Sequence, residues 1–267
     1  MAIQNYEVLH KEFLDKGFFV CKNIFEKKLI SDLIFDISKA KNTKKYFDNN
    51  KIIRRIEKLY NKSENLINLN NIILKILKNI LNKDFIIFKD KFNAKPPGGE
   101  GFFAHYDGIF EFNNENNNKK RGWYEYSDFF INALVALDPC DKINGSIEIA
   151  KKHHGDFDKL LINTKKDGTP ALTKKIEDQT KFELIDLNIG DIVFFLNTCP
   201  HRSKKNYSKN NRRILYYTYS PAELGSKYDE YFNDKSNSKN KSKALVEENW
   251  YNLNYLINKN IYLTYSL

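Results

Sequence analysis

The sequence predicts a mainly β fold with flanking α-helices, a sandwich or jelly roll with helices laid against one sheet. Three observations carry this. From Asp84 onward, short stretches rich in β-branched and aromatic residues alternate with turn signals. Before Asp84, apolar residues recur at helical spacing. And 267 residues, 14% of them aromatic, suffice for one large β domain with its own core.

The elements follow in chain order. Residues 5–17 read as a short amphipathic helix ended by Gly17, and 18–25 as a strand. Leu29, Ile30, Leu33, Ile34 and Ile37 mark a helix over 26–42. A further helix, 68–82, is apolar on nearly every face and is expected to pack under a sheet. The strands are expected at 84–95, 102–112, 128–137, 146–150, 182–187, 191–197 and 212–220. The polar stretch 113–126 and the Lys- and Asp-rich stretch 155–181 are long excursions, of the kind that carry function or stay unstructured. Residues 1–232 are read as one domain, and 233–267 as a charged linker with an aromatic tail. That tail is expected to dock on the domain or on a second copy in a homodimer.

Composition bounds the function. No run of about 18 apolar residues predicts a membrane span, and no secretory signal is expected at the N-terminus. Cys21, Cys140 and Cys199, odd in number and scattered, point to reduced thiols and a cytoplasmic location. The net charge of +10 is mostly a diffuse lysine excess and predicts no nucleic-acid partner. It concentrates in 202–213, with six cations and no carboxylate, and in 235–243, read as a solvated stretch.

Side chains at i and i+2 of a strand share a face. His105 and Asp107, in "GFFAHYDGI", are so placed as two cis ligands of a metal, although such a pair also occurs at an ordinary strand start. His201, beside Pro200 at the end of the strand "DIVFFLN", is poorly explained as core filling and supplies a third ligand. Two imidazoles and a carboxylate leave positions open for a co-substrate and oxygen, which suits Fe(II); zinc accepts the same ligands. Arg212, with Arg213 as its rival, offers a planar fork to a dicarboxylate, and Ser203 a hydroxyl. Strand alternation turns only one of the two arginines inward.

The pattern "HYD … GDIVFFLNTCPHRSKKNYSKNNRRILYYTYSPA" resembles the phytanoyl-CoA dioxygenase family of Fe(II)/2-oxoglutarate oxygenases. "FLDKGFFVCKNIFEKKLISDL" is similar to that family's opening helix–strand–helix. "KDKFNAKPPGGEGFFAHYDG" resembles the lead-in of its bacterial small-molecule hydroxylases, including those acting on aminophosphonates. The resemblance spans about residues 8 to 232 and implies a double-stranded β-helix (jelly-roll, cupin-like) core. It implies iron on His105, Asp107 and His201, and 2-oxoglutarate anchored by Arg212 with Ser203 assisting. Fe(II), 2-oxoglutarate and O2 would be required, with succinate and CO2 released as a substrate is hydroxylated. Tyr106 stands where relatives often carry Gln, and "KKHH" (151–154) replaces the usual "PGSH". Asp107 disfavours halogenation, since related halogenases carry a small residue there.

The remaining pocket residues are read from alternation. Lys89, Lys91, Asn93 and Lys95 share one face of 84–95. Lys91 and Asn93 are candidate substrate contacts, whereas Lys89 is expected to face solvent. Asn132, a mid-strand amide in need of a partner, is assigned to 2-oxoglutarate. Tyr106 and Tyr124 are candidate substrate-wall residues, with Trp123 and Tyr126 beside them. His10, His153 and His154 are read as structural or exposed. The expected activity is hydroxylation of a small polar metabolite, tilted by the cationic face toward an anion such as a phosphonate. The alternatives are an oxygenase acting on nucleic acid or protein, and a non-catalytic cupin-like binding module.

Overall fold

Asn5 starts the first helix, its side chain accepting from the Glu7 amide, and Gly17 ends it with φ +83°. The computed structural model describes residues 5–48, 50–113 and 117–237. Of the linker and aromatic tail expected at 233–267, residues 238–267 lie outside the described residues.

The helices are α1 (Tyr6–Lys16), α2 (Lys27–Lys39), α3 (Glu64–Leu81), α4 (Phe157–Leu161), α5 (Lys174–Gln179) and α6 (Tyr228–Asn237). The strands are β1 (Phe18–Cys21), β2 (Lys44–Phe47), β3 (Ile53–Glu57), β4 (Phe85–Lys95), β5 (Phe102–His105), β6 (Phe112–Asn113) and β7 (Lys119–Lys120). They continue as β8 (Ile131–Ala136), β9 (Ile147–Ala150), β10 (Phe182–Leu184), β11 (Ile192–Leu196), β12 (His201–Ser203) and β13 (Arg212–Pro221).

A seven-stranded sheet runs β1-β11-β8-β13-β4-β3-β2, and a four-stranded sheet runs β10-β9-β12-β5. Paired strands in both are antiparallel. The result is a double-stranded β-helix. Its central strands β8 and β11 are buried along their whole length, which explains their near-continuous apolar sequence. Helix α3 backs the large sheet, burying Leu66, Leu69, Ile73, Ile76, Leu77 and Ile80; each such side chain contributes about 1.5–3 kcal/mol. Hydroxyls of Tyr217 and Tyr219 on β13 reach the Leu66 carbonyl (3.4 Å) and the Asn70 amide oxygen (2.9 Å), fixing that helix over the sheet.

Several expectations are corrected. Strands β2 and β3 were not anticipated, because β3 buries Arg54, Arg55 and Glu57 and so lacks apolar alternation. The strand expected over 102–112 stops at His105, and the chain turns at Gly108 (φ +77°). A Cβ there would lie 2.5 Å from the Trp123 ring, so glycine permits both the turn and the approach. Lys89 is buried, not solvent-facing: its ammonium sits over the Trp123 ring at 4.5 Å and the Tyr231 ring at 5.4 Å. Helix α6 crosses the boundary expected at residue 232 and buries Tyr228, Tyr231, Phe232 and Lys235. Lys235 therefore does not belong to a solvated stretch. All three cysteines are buried and free. No helix among the described residues is long and apolar enough to cross a membrane.

Candidate metal centre and anion cavity

The two histidines meet because their strands pair. β5 lies beside β12, and His105 is the direct partner of His201. Asp107 follows one turn-forming step later, its backbone N–H donating to the Asn197 carbonyl (3.1 Å). One ligand atom from each of His105, Asp107 and His201 lies within 4.8 Å of the others, and all three residues are buried. His105 Nδ1 donates to the Phe103 carbonyl (2.9 Å) and His201 Nδ1 to the Cys199 carbonyl (3.1 Å). Each ring thus presents the Nε2 lone pair, 4.0 and 3.7 Å from the Asp107 carboxylate oxygens. Burial pushes both imidazoles below their ordinary range, and in His105 the neighbouring His201 adds to it. Burial alone would raise the Asp107 carboxyl, but His201, Lys91 and His105 outweigh it and hold it at about 2. Neutral imidazoles with an ionised carboxylate are the donor set a divalent cation requires.

Asn132 corrects its assignment. Its Nδ2 donates to Asp107 Oδ2 (2.9 Å), while its Oδ1 accepts from Thr218 Oγ1 (2.8 Å). The β8–β13 register, in which Asn132 faces Thr218, makes this possible. The amide positions a ligand carboxylate and is not among the residues that line the cavity Arg212 enters.

Between the sheets lies a cavity of about 70 Å³ that touches His105 and His201 and is walled by β3, β4, β9, β12 and β13. Arg212 enters it. Its Nη2 donates to the Gly145 carbonyl (3.2 Å), and its buried Nε has no hydrogen-bond partner. An orphaned guanidinium N–H aimed at a cavity fits an incoming carboxylate. Gly145 itself has φ +74°, and a Cβ there would lie 2.1 Å from the Lys204 carbonyl oxygen. Arg213 faces the other way, forking onto Asp138 with two bonds of 2.7 Å. Ser203 Oγ accepts from Lys95 (2.9 Å), which leaves its own hydrogen to donate. Lys95 also donates to the Gly145 and Lys204 carbonyls, so it is a strut.

Lys91 and Asn93 both line the cavity, as alternation implied. The Lys91 ammonium sits 4.7 Å from the Tyr216 ring centre, and burial brings it down to about 7. Arg55 also lines the cavity and donates from Nε to Asn93 Oδ1 (3.2 Å). It was missed; two arginines and a glutamate inside the apolar frame of "IRRIE" were the signal. Tyr106 is not in the cavity wall. It points to a second apolar cluster with Phe157 and Leu160, where His153 Nδ1 (2.5 Å) and Asn163 Nδ2 (3.1 Å) meet its hydroxyl. The chain leaves β5 at His105, and Tyr106 turns away from the metal ligands on either side of it. Tyr124 does not line the cavity either. Its hydroxyl accepts from Asn197 Nδ2 (3.3 Å), which also donates to the Asp107 carbonyl (3.3 Å).

Carboxylates from elsewhere answer the basic stretch 202–213. Arg202 pairs with Glu148 and Glu177, Lys204 with Glu148, Lys205 with Glu100, and Arg213 with Asp138.

The fold and the site together define a jelly-roll protein with a facial His–Asp–His metal-binding triad. The model of the phytanoyl-CoA dioxygenase (PhyH) family matches residues 23–214, and the chain belongs to that family. Among curated proteins it is 28% identical over 162 residues to a 2-aminoethylphosphonate dioxygenase from Uncultured bacterium HF130_AEPn_1, covering 60% of this chain and 55% of that one. It is 28% identical over 159 residues to a methylphosphonate hydroxylase from Gimesia maris, covering 60% and 54%. The chain thus spans about half the length of the curated relatives it matches. Among solved structures, the non-heme alpha ketoglutarate dependent epimerase SnoN from nogalamycin biosynthesis superposes with TM-score 0.61 at 13% identity, covering 81% of this chain and 83% of that one. EctD from S. alaskensis, solved with 2-oxoglutarate and 5-hydroxyectoine, gives TM-score 0.60 at 15% identity over 80% and 76%. At these identities the likeness shows the fold.

Proposed function

We propose that the protein is an Fe(II)/2-oxoglutarate-dependent dioxygenase that hydroxylates a small anionic metabolite, a phosphonate being the favoured class. The carrying observation is one cavity that touches His105 and His201 of the triad and also holds the buried, unpartnered Nε of Arg212. His105, Asp107 and His201 are the metal ligands. Arg212 and Ser203 receive the far carboxylate of 2-oxoglutarate, and Lys91 with Asn93 receives the anionic group of the substrate. Tyr124, outside the cavity wall, acts on the site only through Asn197, which holds the Asp107 backbone carbonyl.

When bound, iron would supply O2 activation coupled to oxidation of 2-oxoglutarate to succinate and CO2. The chain's part is positional. Asn132 holds the Asp107 carboxylate, the Phe103 and Cys199 carbonyls fix the imidazole tautomers, and Arg212 orients the co-substrate along the cavity. Phe102, Ile147 and Ile214 supply apolar wall that keeps water from the reacting carbon. The cationic lining favours an anion, and the two phosphonate-processing relatives support that choice.

The test is succinate release from 2-oxoglutarate under Fe(II) and O2, screened over 2-aminoethylphosphonate, methylphosphonate and other small anions. Anaerobic Fe(II) with 2-oxoglutarate should also give a weak visible charge-transfer band that His105→Ala abolishes. Folded protein with no band and no succinate would overturn the assignment and favour the cupin-like binding module.

A further inference from the structure

The two faces of β13 do different work. Arg212, Ile214 and Tyr216 line the cavity, whereas Arg213, Leu215 and Tyr217 do not. Thr218, next on the cavity side, bonds Asn132 and through it reaches Asp107. Tyr216 therefore stands on the strand between the arginine anchor and the support of a metal ligand.

Its ring is held from two sides. The Lys91 ammonium lies 4.7 Å from the ring centre, and Phe195, which also packs on the His201 ring, meets it edge-on at 6.4 Å. The hydroxyl, by contrast, makes no hydrogen bond among the described residues. That sets it apart from the other buried tyrosines there. Tyr46, Tyr106, Tyr217, Tyr219, Tyr228 and Tyr231 each bond a carboxylate, imidazole, carbonyl, amide or ammonium. Tyr216 is only 8% exposed. A polar group so buried ordinarily has a partner, and the side left open here is the cavity. Burial pushes the phenol up, so it stays protonated and offers a donor.

We propose that Tyr216 is a further co-substrate-binding residue: its hydroxyl donates to a carboxylate oxygen of 2-oxoglutarate held in the cavity between the triad and Arg212. The inference rests on the Fe(II)/2-oxoglutarate reading of that cavity above. A dicarboxylate that reaches from the metal ligands to Arg212 runs along the face of β13 that presents Tyr216.

The experiment measures 2-oxoglutarate affinity by anaerobic titration of the Fe(II)-loaded full chain. Tyr216→Phe, which removes the hydroxyl and keeps the ring beneath Lys91, should weaken 2-oxoglutarate binding about tenfold, the scale of one charge-assisted hydrogen bond. Fe(II) affinity and the melting temperature of the ligand-free protein should match the wild type, because no protein group loses a partner. A merely structural hydroxyl predicts the reverse, a lower melting temperature with unchanged affinity. Tyr217→Phe, on the opposite face, should leave 2-oxoglutarate affinity as it is. Should Tyr216→Phe not fold, Tyr216→Leu, which also lacks the donor, is titrated in its place with the same expectation. Folded Tyr216 variants with wild-type affinity overturn the proposal. So does a loss that falls on methylphosphonate binding to the Fe(II)- and 2-oxoglutarate-loaded protein instead, which would move the hydroxyl to the substrate. Wild-type protein that binds no 2-oxoglutarate would overturn the reading beneath it.

Discussion

Replacing Asn132 by Leu keeps the branched heavy-atom shape of a buried side chain while removing both its hydrogen bonds. The lost Nδ2–H to Asp107 Oδ2 bond, 2.9 Å long and fully buried, is to an ionised acceptor. Such bonds contribute about 1.5–3 kcal/mol, which at about 1.4 kcal/mol per decade is a 10- to 100-fold change in an equilibrium constant. Because Asn132 holds a metal ligand, the loss should fall on the metal, in line with the typical cost of removing a ligand's supporting partner. Anaerobic Fe(II) titration of Asn132→Leu should therefore show a dissociation constant 10- to 100-fold higher. The 2-oxoglutarate affinity, measured at saturating Fe(II), should stay within about twofold. Thr218→Val, which frees the Asn132 oxygen but keeps the bond to Asp107, should cost a few-fold in the same titration. The opposite pattern, normal metal affinity with impaired 2-oxoglutarate binding, would refute this account and return Asn132 to the co-substrate.

Three further outcomes are expected. Arg212→Ala should weaken 2-oxoglutarate binding by about 100-fold with little change in melting temperature; Arg213→Ala should leave affinity alone and cost about 1 kcal/mol of stability by thermal unfolding, as its pair with Asp138 is partly exposed. Tyr106→Phe should lower stability by about 1–3 kcal/mol, because His153 and Asn163 lose a buried partner. Its kcat/KM should match the wild type; a selective loss of kcat/KM would put Tyr106 back at the substrate. Lys91 is charged below about 7 and neutral above it. Affinity for a small sulfonate analogue of the substrate, whose charge does not change in that range, should fall as pH rises from 6 to 9, and the slope should flatten in Lys91→Met. A pH profile unchanged by that substitution would exclude Lys91 from anion binding.

The triad was legible from residue types and spacing, although Asp107 lies in the turn after β5 and not on the strand that the spacing implied. His105 and Asp107 two apart, and a histidine beside Pro200, leave few alternatives to convergence. The choice between Arg212 and Arg213 was not legible, since alternation fixes that one points inward but not which. Asp138, far off in sequence, decides it by capturing Arg213. Asn132 could be read as a buried amide in need of partners, but its partners depend on strand register, which the local pattern does not encode. Lys89 was misread for a similar reason: its cover comes from Trp123 and from Tyr231 on α6. The helix itself was hidden by "YDEYFNDKSN", where charges on the exposed side mask the buried Tyr228, Tyr231, Phe232 and Lys235. β3 was hidden by its purpose, since a strand that lines a charged cavity loses the apolar alternation that announces strands.

The pairing of His105 with His201 has a kinetic consequence. The two histidines do not meet until β5 and β12 close on each other, and that contact joins segments distant along the chain. Contacts of this kind carry a large loop-closure cost and slow folding. The unfolded chain thus has only His105 and Asp107 in proximity and holds a metal weakly. Nearly all of the metal's binding energy is then conferred on the closed state, where it adds to stability by mass action. Capture of the ion becomes a latch on the finished barrel, and the appearance of its spectroscopic signal during refolding would time the moment β5 pairs with β12.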